Sequence, residues 1–180
     1  MKQTTRSMTH GAITAALTVV LLLVDRMLAG FLMSFLPLPL IIYGLYYPLN
    51  QSIITYVVTV LLVMIIPGQL PTTIMMITYG FVGLVYIWAH KKDVSDNIKF
   101  FIVFLGNFIN YFIMMKFFGS FFGMEFNLLI TQVQGFLKFL SPSLVKVLAM
   151  IIVLFTIALE TVIIFLSARQ LTYLMKRHRK

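Results

Sequence analysis

The 180-residue chain is 61% hydrophobic and only 11% charged, with a mean hydropathy of +1.00 and a net charge of +9. Soluble chains are about a quarter charged, and a chain this short has no interior large enough for so many apolar residues, so lipid is the solvent it is built for. A soluble enzyme, an extracellular module and a disordered tail are excluded, and nucleic acid is not an expected partner, because the cations punctuate long apolar runs instead of coating a soluble surface.

A span needs about 20 mainly apolar residues at 1.5 Å rise each. The runs do not alternate as barrel strands would, so helices, which satisfy their own backbone in lipid, are expected. The apolar run from Gly11 is long and continues into further runs, and it reads as a first span, not a cleavable signal. The first helix is predicted from about Met8 to Leu28, followed by the turn Leu36-Pro37-Leu38-Pro39. A short second stretch covers Leu38 to Leu49, and a third helix runs to about Ile66. Pro67-Gly68-Gln69-Leu70-Pro71 marks a loop. The fourth helix covers about Thr72 to Ala89, and the fifth about Ile98 to Phe118 after the polar stretch His90 to Asp96. Gly119 to Pro142 is apolar yet carries Glu125, Asn127, Gln132, Gln134 and Lys138. It is expected at the outer face as an amphipathic or re-entrant cover, seated by Phe121, Phe122, Phe126, Phe136 and Phe139, either as a lid or as a passive interfacial helix. The sixth helix runs from about Leu144 to Ala168.

The expected fold is therefore all-α: a single polytopic membrane domain of six transmembrane helices with a basic tail over about 169–180. The positive-inside rule places both termini in the cytoplasm. Lys2, Arg6, Lys91, Lys92, Lys99, Arg169, Lys176, Arg177, Arg179 and Lys180 then lie inside, against Arg26, Lys116, Lys138 and Lys146 outside. That arrangement needs an even number of spans: six, or four if the second and third stretches form a re-entrant pair. The basic tail reads as a topology signal or as a contact with anionic headgroups.

Enzyme chemistry finds no support. There is no cysteine, no phosphate-binding Gly-x-x-x-x-Gly-Lys loop and no His-Glu-x-x-His. His10, His90 and His178 fall at the inner boundary with no metal-ligand spacing. Asp93 and Asp96 sit beside Lys91 and Lys92 in a solvated loop. No catalytic residue, metal or cofactor is expected, and an ATPase, if used, must come from another chain.

The remaining candidates are few. Ala12 and Ala16 stack on one helix face, widened by Gly11 and Ala15, and small residues let helices approach closely in lipid, within the chain or with a partner. Asp25 and Arg26 interrupt the first run near the outer interface, as an anchor or as ligand-facing groups. Asn107 and Asn110 share a face of the fifth helix, beside Gly106 and Tyr111. Such amides either bond another helix or meet a polar ligand. Lys116 lies farther outward and can snorkel. Glu160 is the acid well inside the sixth helix, as a hydrogen-bonded contact or as a proton site.

Two segments carry a family likeness: Met8-Thr9-His10-Gly11-Ala12-Ile13-Thr14-Ala15-Ala16-Leu17 after a basic N-terminus, and Leu36-Pro37-Leu38-Pro39-Leu40-Ile41-Ile42-Tyr43-Gly44. Together they resemble the substrate-binding S components of energy-coupling factor (ECF) vitamin transporters, with a texture similar to YybS-like membrane proteins. The resemblance implies that Ala12 and Ala16 dock on the shared coupling transmembrane subunit, which works with two ATPase subunits. It also implies a small-molecule pocket in the outer half, nearest Gln69, Asn107, Asn110 and Lys116. Trp88 is at the inner end of the fourth helix, so stacking on an aromatic ligand outside would fall to Phe or Tyr. The rival readings are a membrane scaffold without cargo and a stand-alone proton-coupled carrier that needs Glu160.

Overall fold

The computed structural model describes the backbone of residues 2–28, 30–66 and 69–178, and the side chains of 5–28, 30–66 and 69–175. Among these residues the chain is helical, with no strand. The helices are α1 (Lys2–Met27), α2 (Leu38–Tyr46, after a 3-10 turn at Met33–Phe35), α3 (Leu49–Ile65), α4 (Leu70–Lys91), α5 (Asp96–Phe122), α6 (Phe126–Phe136) and α7 (Pro142–His178). Four of them, α1, α4, α5 and α7, are long and apolar enough to cross a bilayer. The protein is an all-α membrane protein. Pro67 and Gly68 of the expected Pro-Gly loop lie outside the described residues, as do the side chains of Lys2, Lys176, Arg177, His178, Arg179 and Lys180.

Prolines set several starts. Pro39 and Pro71 occupy the first turns of α2 and α4, where a missing N–H costs nothing. Gly123 ends α5 in the left-handed conformation, at φ 63°, a backbone shape that glycine adopts without strain. The buried threonines Thr14, Thr18, Thr59, Thr78 and Thr161 each return their hydroxyl to a carbonyl one turn back. That local bond removes the cost of an unpaired hydroxyl in an apolar setting.

Contacts fix the run of each helix. The Leu32 N–H donates to Asp25 Oδ1 at 2.6 Å. At the other end of α2, the Tyr43 hydroxyl donates to the Ser7 carbonyl at 3.2 Å, and the Tyr47 hydroxyl meets His10 Nδ1 at 2.7 Å. The segment Leu32 to Tyr47 thus runs antiparallel to α1 from Asp25 back to His10, about 22 Å of helix axis. Helix α3 returns parallel to α1: Gly11 abuts Thr55, and Val63 packs with Val19 and Leu22. Helix α4 reverses again, with Gly80 against Tyr56, and it runs alongside α2 with Gly83 against Pro37 and Gly44 against Ile87. Gly44 and Gly80 have no room for a Cβ, so close backbone approach in place of large side chains holds α2, α3 and α4 together.

Helices α5 and α7 complete the bundle. Gly106 meets Val85 of α4, and Phe100 packs edge-on against Phe165 of α7 at 5.5 Å between centroids. One core cluster gathers Leu40, Ile41, Tyr86, Val103 and Phe165 from four helices. Helix α7 has 37 residues, about 55 Å. At the α5 start, Asp96 pairs with Lys99 at 3.0 Å and with Arg169 of α7 at 3.5 Å. Asp96, expected in a solvated cluster with Asp93, is exposed and also pairs across the edge between α5 and α7.

Candidate functional site: a polar knot beside a cleft

Helices α4, α5 and α7 each bring polar groups to one level of the bundle. Tyr79 comes from α4, Asn107, Asn110 and Tyr111 from α5, and Glu160 and Thr161 from α7. Glu160 lies nine residues from Arg169 and eighteen from Pro142, about 13 Å and 27 Å along the axis.

The Tyr111 hydroxyl donates to Glu160 Oε1 at 2.6 Å. The Tyr79 hydroxyl stands 3.3 Å from both carboxylate oxygens. One residue on, the Thr161 hydroxyl accepts from Asn107 Nδ2 at 3.3 Å, and the same amide reaches the Ile157 carbonyl at 3.4 Å. Asn107 and Asn110 are fully enclosed, at 0% and 2% exposure. Asn107 Oδ1 and both polar atoms of the Asn110 side chain have no protein partner. Such groups carry the full cost of leaving water. Among the described residues no cation pairs with Glu160; the ion pairs there belong to Asp96.

A cleft of about 200 Å³ opens beside the knot. Its walls come from Tyr111 and Met115 of α5, the Gly123–Met124 turn, Leu129 and Gln132 of α6, and Ile152, Val153 and Thr156 of α7. Tyr111 is therefore both a wall of the cleft and a hydrogen-bond donor to Glu160. Thr156 is one turn before Glu160 on α7. The turn that closes the cleft is held by the Ser120 hydroxyl, which donates to Glu125 Oε1 at 2.6 Å. The stretch expected as an outer cover thus supplies one cleft wall through α6. Only Val133 of α6 is buried, while Phe136 and Phe139 are 88% and 82% exposed.

The predicted binding residues divide. Asn107 joins the knot through Thr161 and Ile157, whereas Asn110 is buried on the same helix with no protein partner for its amide. Asp25 is buried and accepts from the Leu32 N–H, anchoring the turn after α1. Arg26 and Gln69 are exposed at the ends of α1 and α4. Lys116 is exposed, its Nζ 5.6 Å from the ring centres of both Phe112 and Phe117, within cation–π range, and it does not line the cleft. Glu160 is the interhelical contact that was one of its two expected roles. Tyr79 and Thr161 escaped sequence reasoning. A tyrosine inside an apolar run carries no marker of its partner, although Tyr111 beside Asn110 was a partial cue.

The partner-binding candidates also divide. Gly11 and Ala15 are buried, and a Cβ on Gly11 would meet Thr55 Oγ1 at 2.9 Å. Ala12 and Ala16 face outward beside the exposed Ile13, Leu17 and Val20.

Fold and site together define a helical membrane protein with a glutamate-centred polar knot next to a small cleft. No protein family, curated protein or solved structure matches the chain.

Proposed function

We propose that the chain is the substrate-binding S component of an ECF-type importer in the bacterial cytoplasmic membrane. It captures a vitamin or similar small molecule from outside and is not itself an enzyme. The observation that carries this reading is the division of small residues on α1. Gly11 and Ala15 serve internal packing, which leaves Ala12 and Ala16 as a smooth strip with no partner inside the bundle. Small side chains on an outward face let a second protein's helix approach closely in lipid. The coupling transmembrane subunit, driven by two ATPase subunits, would dock there, and the S component would topple to release cargo inside.

The alternating helix directions support six crossings. The Leu32–Tyr47 segment follows α1 from Asp25 to His10, so the short α2 and its 3-10 turn together cover most of one leaflet pair. Helix α3 goes back beside it with 17 residues, about 26 Å. Both termini then lie on the side rich in Lys and Arg, the cytoplasm.

Co-expression with a complete ECF module tests the reading. The wild type is expected to co-purify with the coupling subunit, and Ala12→Leu with Ala16→Leu to abolish this. Wild-type protein that never co-purifies overturns it. One observation favours a second reading, a stand-alone proton-coupled carrier: Glu160 accepts from two tyrosine hydroxyls and, among the described residues, pairs with no cation. Uptake in cells lacking any ECF module, lost in Glu160→Gln, would select that reading.

A further inference from the structure

The geometry points to a groove at the basic end of α7 as a binding site for one anionic phospholipid, its phosphate on Arg169. The site concerns the membrane around the chain, so it stands apart from any cargo and from the subunit that docks on α1.

The groove follows α7 from Val162 to Leu174, roughly 18 Å of helix axis, in two stretches. Toward the middle of the bundle, a hollow of about 440 Å³ lies between α5 and α7 over Phe100, Val162, Phe165 and Leu166. Toward the end of α7, a second hollow of about 480 Å³ is lined by Gln170, Tyr173 and Leu174. Leu166 and Arg169 line both hollows and mark where one meets the other. Val162 and Leu166 are open to the bilayer, whereas Phe165 is buried and packs edge-on against Tyr86 and Phe100. That packing gives the apolar stretch a fixed floor. Polarity therefore changes along the groove, from apolar side chains to a guanidinium and then to an amide and a phenol. A phospholipid has the same order: acyl chain, phosphate, headgroup. Tyrosine and basic side chains are the groups that meet lipid at this level of a membrane.

Charge selects the headgroup. Asp96 is the acid of the groove, with Asn97 beside it. Lys99 holds Asp96 at 3.0 Å, and Arg169 reaches it through Nε at 3.5 Å. That contact leaves the two Nη groups of Arg169 without a hydrogen bond among the described residues, on a side chain that is 64% exposed. A guanidinium offers phosphate oxygens two parallel N–H donors. Lys99 and Arg169 against Asp96 leave one net positive charge, the complement of a single phosphodiester. A zwitterionic headgroup would add an ammonium, and past Arg169 the chain has no acidic residue to meet it. A glycerol headgroup adds hydroxyls instead, which an amide and a phenol can bond.

Native mass spectrometry of the full-length protein, in micelles holding equal amounts of phosphatidylglycerol and phosphatidylcholine, tests the site. The wild type is expected to retain one phosphatidylglycerol in preference to phosphatidylcholine. Arg169→Gln is expected to weaken that retention about 10-fold, the loss of a charge-assisted contact. Val162→Trp fills the apolar stretch and leaves Arg169 in place. It is expected to weaken retention too, and it carries the test if Arg169→Gln does not fold. Exchange of Lys176, Arg177, Arg179 and Lys180 for Gln should leave the one lipid bound, and so should excess inorganic phosphate. The inference is overturned by a wild type with no preference, or by undiminished retention in either folded variant. Loss of the lipid from the tail variant would assign the preference to the tail, and displacement by phosphate would assign the site to a free anion; either result overturns it as well.

Discussion

The Tyr111 hydroxyl donates to Glu160 at 2.6 Å, closing a link between α5 and α7 across 49 residues of chain. Tyr79 approaches the same carboxylate at 3.3 Å from α4. The shorter bond should matter more. Tyr111→Phe is expected to destabilise the bundle by about 1–2 kcal/mol, the upper range for interhelical hydrogen bonds in membranes. Tyr79→Phe is expected to cost less. Denaturant unfolding in mixed micelles measures both, and a larger loss for Tyr79→Phe would contradict this ranking.

Adjacent positions on α1 should separate stability from docking. Gly11→Leu drives a side chain into Thr55 and Tyr43, and overpacking of that kind costs about 1–3 kcal/mol. Ala12→Leu and Ala16→Leu place their side chains outward and should leave the unfolding temperature close to that of the wild type. A thermal scan of the three variants checks the contrast.

Asp25 is expected to behave as an anchor. Asp25→Ala leaves the partly buried Leu32 N–H without its acceptor, a loss of about 1 kcal/mol. Stability should fall while affinity for a bound small molecule stays the same. Calorimetry on the folded fraction distinguishes this from a ligand-contacting role, which would lower affinity.

The α2–α3 turn decides between six crossings and four. The chain has no native cysteine, so single cysteines report cleanly. Asn50→Cys, exposed at the start of α3, should be shielded from an impermeant thiol reagent added outside cells, as Lys92→Cys should be, while Lys138→Cys should react. Asn50→Cys reacting together with Lys138→Cys would instead indicate a re-entrant pair.

Gly44 tests the backbone approach of α2 to α4. A Cβ there collides with the Ile87 side chain, so Gly44→Val should destabilise by about 1–3 kcal/mol. Gly135→Ala, in open space, should be neutral. Pairing Gly44→Val with Ile87→Ala should restore part of the loss, which a double-mutant cycle measures.

The sequence by itself determined the solvent, the helical class and most helix boundaries. Those follow from run length, prolines and polar interruptions, which act locally: α4 and α5 extend beyond their expected ends by only two to four residues. Asn107, Asn110 and Glu160 were legible as anomalies, because a polar group inside an apolar run stands out without any structure. What they touch was not legible. Whether Glu160 meets a tyrosine, a lysine or lipid depends on which faces of three helices converge, and helices that are apolar all round carry no stripe that fixes their rotation. The same limit explains the small strip on α1. Gly11, Ala12, Ala15 and Ala16 look alike in sequence, and only packing against Thr55 and Tyr43 assigned Gly11 to the interior and left Ala12 and Ala16 outside. Rotation about each helix axis is a tertiary quantity, set by close approach at glycines and by hydrogen bonds such as Tyr43 to Ser7, and it turned scattered polar residues into one knot beside one cleft.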